Sequence, residues 1–315
     1  MNKYLTVQEI LDVTGGKLLY GNVEEQCKSF SRNTKEINAG DIYIGFKGER
    51  SDGSKFYEEA FNQGAKGCII NKVEGLEVKK FEGKFIIEVE DTVNAIGKIA
   101  KLKREKYNIP VIAITGSVGK TSTKDVVASV VSEKYKTLKT QGNMNNHIGM
   151  PLTILKLDDE EALVVEMGMN HFGEISKLTN IAKPTVAIIT NVGTAHIGNL
   201  GSRENILKAK LEILEGMKIP KIIINNDNDL LHNWYQENKG KFEETYLAGY
   251  VIHILTDIIC DRIYQNKLYP KLLEEGYDYN TAYSHYEKGI RECGLDFLVK
   301  AADYYNVSCD YLLGR

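Results

Sequence analysis

Four runs of consecutive apolar residues constrain this chain more than any other feature: VIAIT (111–115), ALVVEM (162–167), TVAIITN (185–191) and KIIIN (221–225). Helical patterns near 120–134, 172–181 and 203–217 separate them. Strands apolar on both faces must be covered on both faces, and parallel strands need helical crossovers to connect them. Residues 84 to about 250 are therefore expected to form an α/β domain with a mainly parallel sheet. Ligands of such sheets gather at the carboxyl ends of the strands.

Upstream, GDIYIGF (40–46), KGCIIN (66–71) and KFIIEV (84–89) read as strands, and FYEEAFNQGA (56–65) as a helix ending near Gly64. The N-terminal MNKYLTVQEILDVTGG has an amphipathic helical pattern closed by glycines. Residues 1–82 are thus expected to form a small α/β domain and residues 83–250 the central parallel-sheet domain. Residues 251–315 have helical periodicity and dense tyrosine, which predicts a small all-α domain.

The composition, 43% hydrophobic and 26% charged over 315 residues, is that of a chain able to bury an ordinary core. A net charge of -3 implies neither a nucleic-acid nor a membrane partner, though it leaves room for a local basic face. The five cysteines (Cys27, Cys68, Cys260, Cys293, Cys309) form no CxxC pair, which fits buried thiols in a reducing compartment rather than a disulfide framework or zinc site. No signal-peptide pattern and no membrane-length apolar run is visible, so the expected location is the cytoplasm.

The sharpest chemical signal is TGSVGKTS, Thr115, Gly116, Ser117, Val118, Gly119, Lys120, Thr121 and Ser122, between a strand and a helix. A triphosphate is a dense anion, and backbone N–H groups at a helix N-terminus meet it with preformed positive potential. In such loops the lysine reaches the β- and γ-phosphates and the following hydroxyl ligates Mg2+, the roles expected of Lys120 and Thr121. The common loop has a further glycine five residues before Gly119, where this chain has Ile114. Glu166, at the end of one strand, and His196, just past another, add to this. Taken singly, Glu166 reads as a capping or solvated acid, His196 as a loop histidine and Lys210 as a solvent-facing helical lysine. Beside a phosphate loop, Thr121, Glu166 and His196 together suggest a metal site.

TGSVGKTSTKD (115–125), QGNMNNHIGMPLTIL (141–155), VVEMGMNHFGEI (164–175), ITNVGTAHIGNLGS (189–202) and AKLEI (209–213) resemble the Mur ligase family, whose phosphate loop also lacks the first glycine. GNMNNHIGMP and EMGMNHFGEI are most similar to the members that join D-Ala-D-Ala to UDP-MurNAc-tripeptide, and SFSRNTKEINAGDIYIGFKGERSDGSKF (29–56) resembles their UDP-substrate segment. The resemblance implies ATP and Mg2+ as cofactors, with UDP-MurNAc-peptide and D-Ala-D-Ala as substrates. It implies Mg2+ at Thr121 and Glu166, a second Mg2+ at His196, and a carbamylated Lys210 as a further oxygen ligand. It further implies a nucleoside contact at Asn225 and Asp227, and substrate contacts at Ser31, Arg32, Glu49, Arg50, Asp52, Gly53, Asn145 and Asn146.

The resemblance covers about residues 1–248, and the family's further strands and third α/β domain are not visible after it, so full ligation is expected to be impaired. AYSHYEKGIRECGLDFLVKAADYYNVSCDYLLGR (282–315) resembles the end of a Cro/repressor-type helix-turn-helix domain. A DNA-binding reading sets Asn280, Thr281, Ser284 and His285 near a major groove, against a helical appendage without DNA contact. Alternatives to the ligase are thus a DNA-binding regulator with a nucleotide-sensing module, or a nonfunctional fusion product.

Overall fold

The computed structural model describes residues 3–48, 51–72, 79 and 81–241. The expected helical domain at 251–315, with its helix-turn-helix resemblance, lies outside the described residues, as do Glu49 and Arg50. The chain divides into two compact units. The first gathers residues 1–109, 140–159 and 177–183, and the second gathers 110–139, 160–176 and 184 onward.

In the first unit, β1 (Leu5–Thr6) leads into α1 (Val7–Thr14), then β2 (Lys17–Tyr20), β3 (Gln26–Cys27), β4 (Phe30–Ser31), β5 (Ile42–Ile44), α2 (Tyr57–Asn62), β6 (Gly67–Asn71), β7 (Phe85–Val89) and α3 (Thr92–Glu105). The start of α1 is a complete capping box: Thr6 Oγ1 accepts from the Glu9 amide, and Glu9 accepts from the Thr6 amide. The sheet order is β2-β7-β6-β5-β4, parallel except for the antiparallel β2–β7 pair. The division expected between residues 82 and 83 is corrected here. β7 pairs with both β6 and β2, and all five residues of β6 are buried, so the sheet closes only with a strand beyond residue 82. α3 follows it into this unit, packing against α1. Tyr43, Tyr57, Phe61, Cys68, Ile70 and Ile86 form a shared core. Burial raises the pKa of both Cys27 and Cys68, as expected of inert structural thiols.

The second unit begins with β8 (Val111–Thr115), α4 (Lys120–Ser132) and β9 (Thr137–Lys139). The chain then supplies α5 (Gly149–Ile154) to the first unit, where it packs on α3. It continues through β10 (Ala162–Glu166), α6 (Glu174–Ala182), β11 (Val186–Ile189), α7 (Ile197–Leu200), α8 (Arg203–Leu211), β12 (Ile222–Ile224) and α9 (Asp229–Asn238). The sheet order is β12-β11-β8-β10-β9, and every pairing is parallel. β8 and β10 are buried along their whole length, as two-sided coverage requires. From β8 the chain goes first to one side and then to the other, so connections part at the carboxyl end of β8, where such sheets hold ligands. Among the described residues no helix is long and apolar enough to cross a membrane.

Candidate active site

β8 is the central strand, and parallel register sets Glu166 of β10 beside Ile114 and Ile189 of β11 beside Thr115. The phosphate loop therefore emerges between the ends of two neighbouring strands. Thr115 is fully buried and its hydroxyl donates to Met167 O at 2.9 Å. Gly116 has φ 155°, and a Cβ there would stand 1.9 Å from Thr190 Oγ1, so only glycine fits. α4 starts at Lys120, and its first-turn amides have no intrahelical acceptor, which leaves them to an anion. Lys120 Nζ donates to Gly116 O at 2.9 Å, folded back over the loop, while Val118, Gly119 and Ser122 are exposed.

Thr121 Oγ1 donates to Glu166 Oε2 at 2.9 Å, and Glu166 is only 2% exposed. A hydroxyl and a buried carboxylate side by side form a hard-oxygen pair. Mg2+ takes one or two carboxylates and fills its octahedron with phosphate oxygens and water, so these residues fit it. Among the described residues no three His, Cys, Asp or Glu side chains form a ready-made metal cage.

His196 and Lys210 both face the charge of Lys120. His196 is exposed at the start of α7, in a left-handed conformation (φ 68°). Its pKa is lowered by desolvation, then by the Lys210 and Lys120 cations, with Glu174 opposing. Lys210 is not solvent-facing. It is 1% exposed in α8, and burial, with Lys120, brings its pKa down to about 7. Asn225 and Asp227 follow β12, where Asn225 Oδ1 accepts from the Asp227 amide at 3.0 Å and the Asp227 side chain is exposed.

In the first unit a cavity of about 410 Å3 is lined by Arg32, Asn33, Thr34, Tyr43, Phe46, Gly48, Ser51, Gly53 and Phe56. Arg32 and Gly53, expected from sequence, belong to it, whereas Ser31 and Asp52 do not line it. Ser31 Oγ accepts from the Asn33 amide at 3.2 Å, and Asp52 Oδ1 accepts from the Ser54 amide at 2.9 Å, so both stabilise local turns. Asn146 Oδ1 accepts from the Ile148 and Gly149 amides at 3.1 and 2.8 Å, at the entry to α5; Asn145 precedes it on the same turn. A buried network supports the cavity wall: Gly45 O accepts from Thr92 Oγ1 (3.0 Å) and Asn71 Nδ2 (3.2 Å), and the Asn71 amide donates to Ser54 Oγ (2.9 Å). Tyr43, Phe46, Phe56 and Asn191, which holds the phosphate loop, were not singled out from sequence; aromatics among turn residues, and an asparagine just past a buried strand, were the available signals.

This loop-and-carboxylate arrangement coincides with a family match: residues 114–266 match the Mur ligase middle domain. Beyond that domain, the chain is 39% identical over 233 residues to the UDP-N-acetylmuramoyl-tripeptide–D-alanyl-D-alanine ligase of Bacillus subtilis, covering 73% of this chain and 50% of the relative. It is 43% identical over 266 residues to the Synechocystis ligase of the same name, covering 82% and 57%. The chain thus spans about half the length of the curated relatives it matches. Among solved structures, MurF of Acinetobacter baumannii superposes with a TM-score of 0.66 at 32% identity, covering 75% of this chain and 52% of that one. MurF of Thermotoga maritima, solved with ADP, gives 0.58 at 36% identity, covering 67% and 48%. The α/β fold with its parallel central sheet is therefore shared with MurF structures.

Proposed function

We propose that this chain binds Mg-ATP on residues 115–122 and serves the cytoplasmic, ATP-dependent ligation of D-Ala-D-Ala to UDP-MurNAc-tripeptide in peptidoglycan synthesis. The observation that carries this is the Thr121–Glu166 pair at 2.9 Å, beside a lysine-bearing loop that His196 and Lys210 both face. The relatives' names supply the substrates.

In this reading the tripeptide's terminal carboxylate attacks the γ-phosphorus of ATP, forming an acyl phosphate and releasing ADP. The amine of D-Ala-D-Ala then adds to the acyl carbon, a proton leaves the nitrogen, and inorganic phosphate departs. The first step joins two anions, so positive charge placed beforehand lowers its barrier. Lys120 and the first-turn amides of α4 supply that charge. Thr121 and Glu166 would hold Mg2+, which would supply charge screening of the triphosphate. His196, kept neutral by its depressed pKa, is suited to a second metal position, since a ligating imidazole must be unprotonated. Lys210, with a pKa of about 7, presents a largely neutral amine just above neutrality; it takes up CO2, releases a proton, and becomes a carboxylate-like ligand. Asn225 and Asp227 contact the nucleoside. Arg32 and Gly53, with Ser31, Asp52, Asn145 and Asn146, serve the UDP-linked substrate, the arginine meeting its diphosphate.

Calorimetry with Mg-ATP on the full chain tests the reading. Saturable binding, weakened by about a hundredfold or more in Lys120→Ala and made Mg2+-independent in Glu166→Gln, is the expected result. No binding by the wild type would remove it.

A further inference from the structure

The segment that follows β11 does more than carry the chain to His196. Asn191 Oδ1 accepts from the Ser117 amide at 3.0 Å and from the Val118 amide at 3.0 Å. The Asn191 carbonyl also accepts from the Ser117 amide, at 3.1 Å. In return the Gly193 amide donates to Ser117 Oγ at 2.9 Å, and Thr190 Oγ1 donates to Val118 O at 2.6 Å. The Thr190 amide donates to Thr115 O at 3.0 Å. Residues 115–118 are thus stitched to residues 190–193 by bonds running in both directions, with Gly116 wedged against Thr190.

Backbone amides of a glycine loop are the groups that usually wrap an anion. Here two of them are already spent on one side-chain oxygen. Two consequences follow from the chemistry. The loop enters binding with its conformation fixed, so less ordering entropy is lost when the nucleotide arrives. And the amides left for an anion are those of the first turn of α4, next to Lys120.

We infer that Asn191 is a positioning residue for the phosphate loop: its carboxamide oxygen clamps the Ser117 and Val118 amides and ties the loop to the segment leading to His196. The inference rests on the nucleotide-binding reading for its purpose, but the clamp itself is visible without nucleotide. Asn191 touches neither the triphosphate nor the metal in this account. It acts through the loop, and through the loop it couples nucleotide arrival to residues 190–197.

The test uses the full chain in two variants, Asn191→Ala, which removes the acceptor, and Asn191→Asp, which keeps one. Amide hydrogen exchange without nucleotide reads the clamp, and calorimetry with Mg-ADP reads its use. Asn191→Ala should expose the Val118 amide to exchange, leave the Ser117 amide held by the Asn191 backbone carbonyl, and weaken Mg-ADP binding about tenfold, the order of one lost hydrogen bond. Asn191→Asp should keep both amides protected. In the wild type, Mg-ADP should slow exchange at residues 190–197 as well as at 116–122, and in Asn191→Ala only at the latter. Equal protection of the Val118 amide in wild type and Asn191→Ala would overturn the inference. Should the alanine variant fail to fold, an unprotected Val118 amide in Asn191→Asp would overturn it instead. A wild type with protected amides but no Mg-ADP binding keeps the clamp and defeats the nucleotide reading, so the two failures are distinct.

Discussion

The two units build their candidate sites in different ways. The second builds its candidate site from backbone and buried charge at the carboxyl ends of parallel strands, with Gly116, Lys120, Thr121, Glu166 and Lys210 each fixed by strand register or helix phase. The first builds its cavity from turns between strands and lines it with aromatic rings, while polar residues nearby hold the turns in shape. The difference teaches that a motif residue has two possible employers, the ligand and the local fold. In the second unit the motif residues Lys120, Thr121 and Glu166 gather at one strand end. Where a turn must be shaped first, many motif residues go to the turn.

The comparison breaks most sharply at Lys120. Lys120→Ala should weaken Mg-ATP binding by about a hundredfold or more, a loss on the order of 3 kcal/mol, with binding of the UDP-linked precursor untouched. Parallel calorimetric titrations with each ligand would show it; equal losses for both ligands would erase the distinction drawn here. The mirror change lies in the first unit. A Cβ at Gly53 would stand 2.6 Å from Phe46 O, against backbone that has little room to yield. Gly53→Ala should therefore distort the cavity wall, at a cost of roughly 1–3 kcal/mol, and reduce precursor binding about tenfold or more while Mg-ATP binding stays near wild type.

How much of this was legible in the sequence depends on the same distinction. β8, β10, β11 and β12 fall inside the runs that read as strands, because two-sided burial leaves an unbroken apolar string. α4, α6 and α8 begin close to their expected positions, although α8 gives way to a 3-10 turn at Glu212–Leu214. β9, three partly buried residues at the sheet edge, carries no such string, and α5 lies in a segment whose motif, not its periodicity, drew attention. The 115–122 loop was plain because its glycines and lysine stand between a buried strand and a helix in a recognisable spacing. The burial of Lys210 was invisible to pattern, since a lysine in a helix is ordinarily solvated. The turn duties of Ser31, Asp52 and Asn146 were equally hidden, because hydrogen bonds between near neighbours leave no periodic trace.

Lys210 sharpens the comparison through pH. Its folded pKa, about 7, lies below the 10.5 of an ordinary lysine, so between those values the unfolded chain binds more protons than the folded one. Stability should therefore rise as pH climbs through that window, by on the order of a few kcal/mol, and the penalty of charging Lys210 is fully present below pH 7. Lys210→Met should flatten this part of the profile, measured by denaturant unfolding in CO2-free buffer. An unchanged slope in the variant would mean that Lys210 ionises as it does in water. The smallest effect is expected at Ser31. Because its hydroxyl serves a partly buried turn, Ser31→Ala should cost about 1 kcal/mol of stability or less and change precursor affinity by less than about threefold. A far larger loss of affinity with stability unchanged would return Ser31 to the ligand.

The first unit is not continuous in sequence. α5 packs on α3, Tyr107 donates its hydroxyl to Leu157 O at 2.9 Å, and the Arg104 guanidinium donates to Ala182 O at 2.8 Å. On a ribosome, then, the N-terminal sheet emerges long before the pieces that finish it, and the whole phosphate loop is synthesised in between. Neither half of the molecule can mature strictly ahead of the other, and a gene fragment cut after residue 109 would leave α3 and Tyr107 without the neighbours they were shaped to meet.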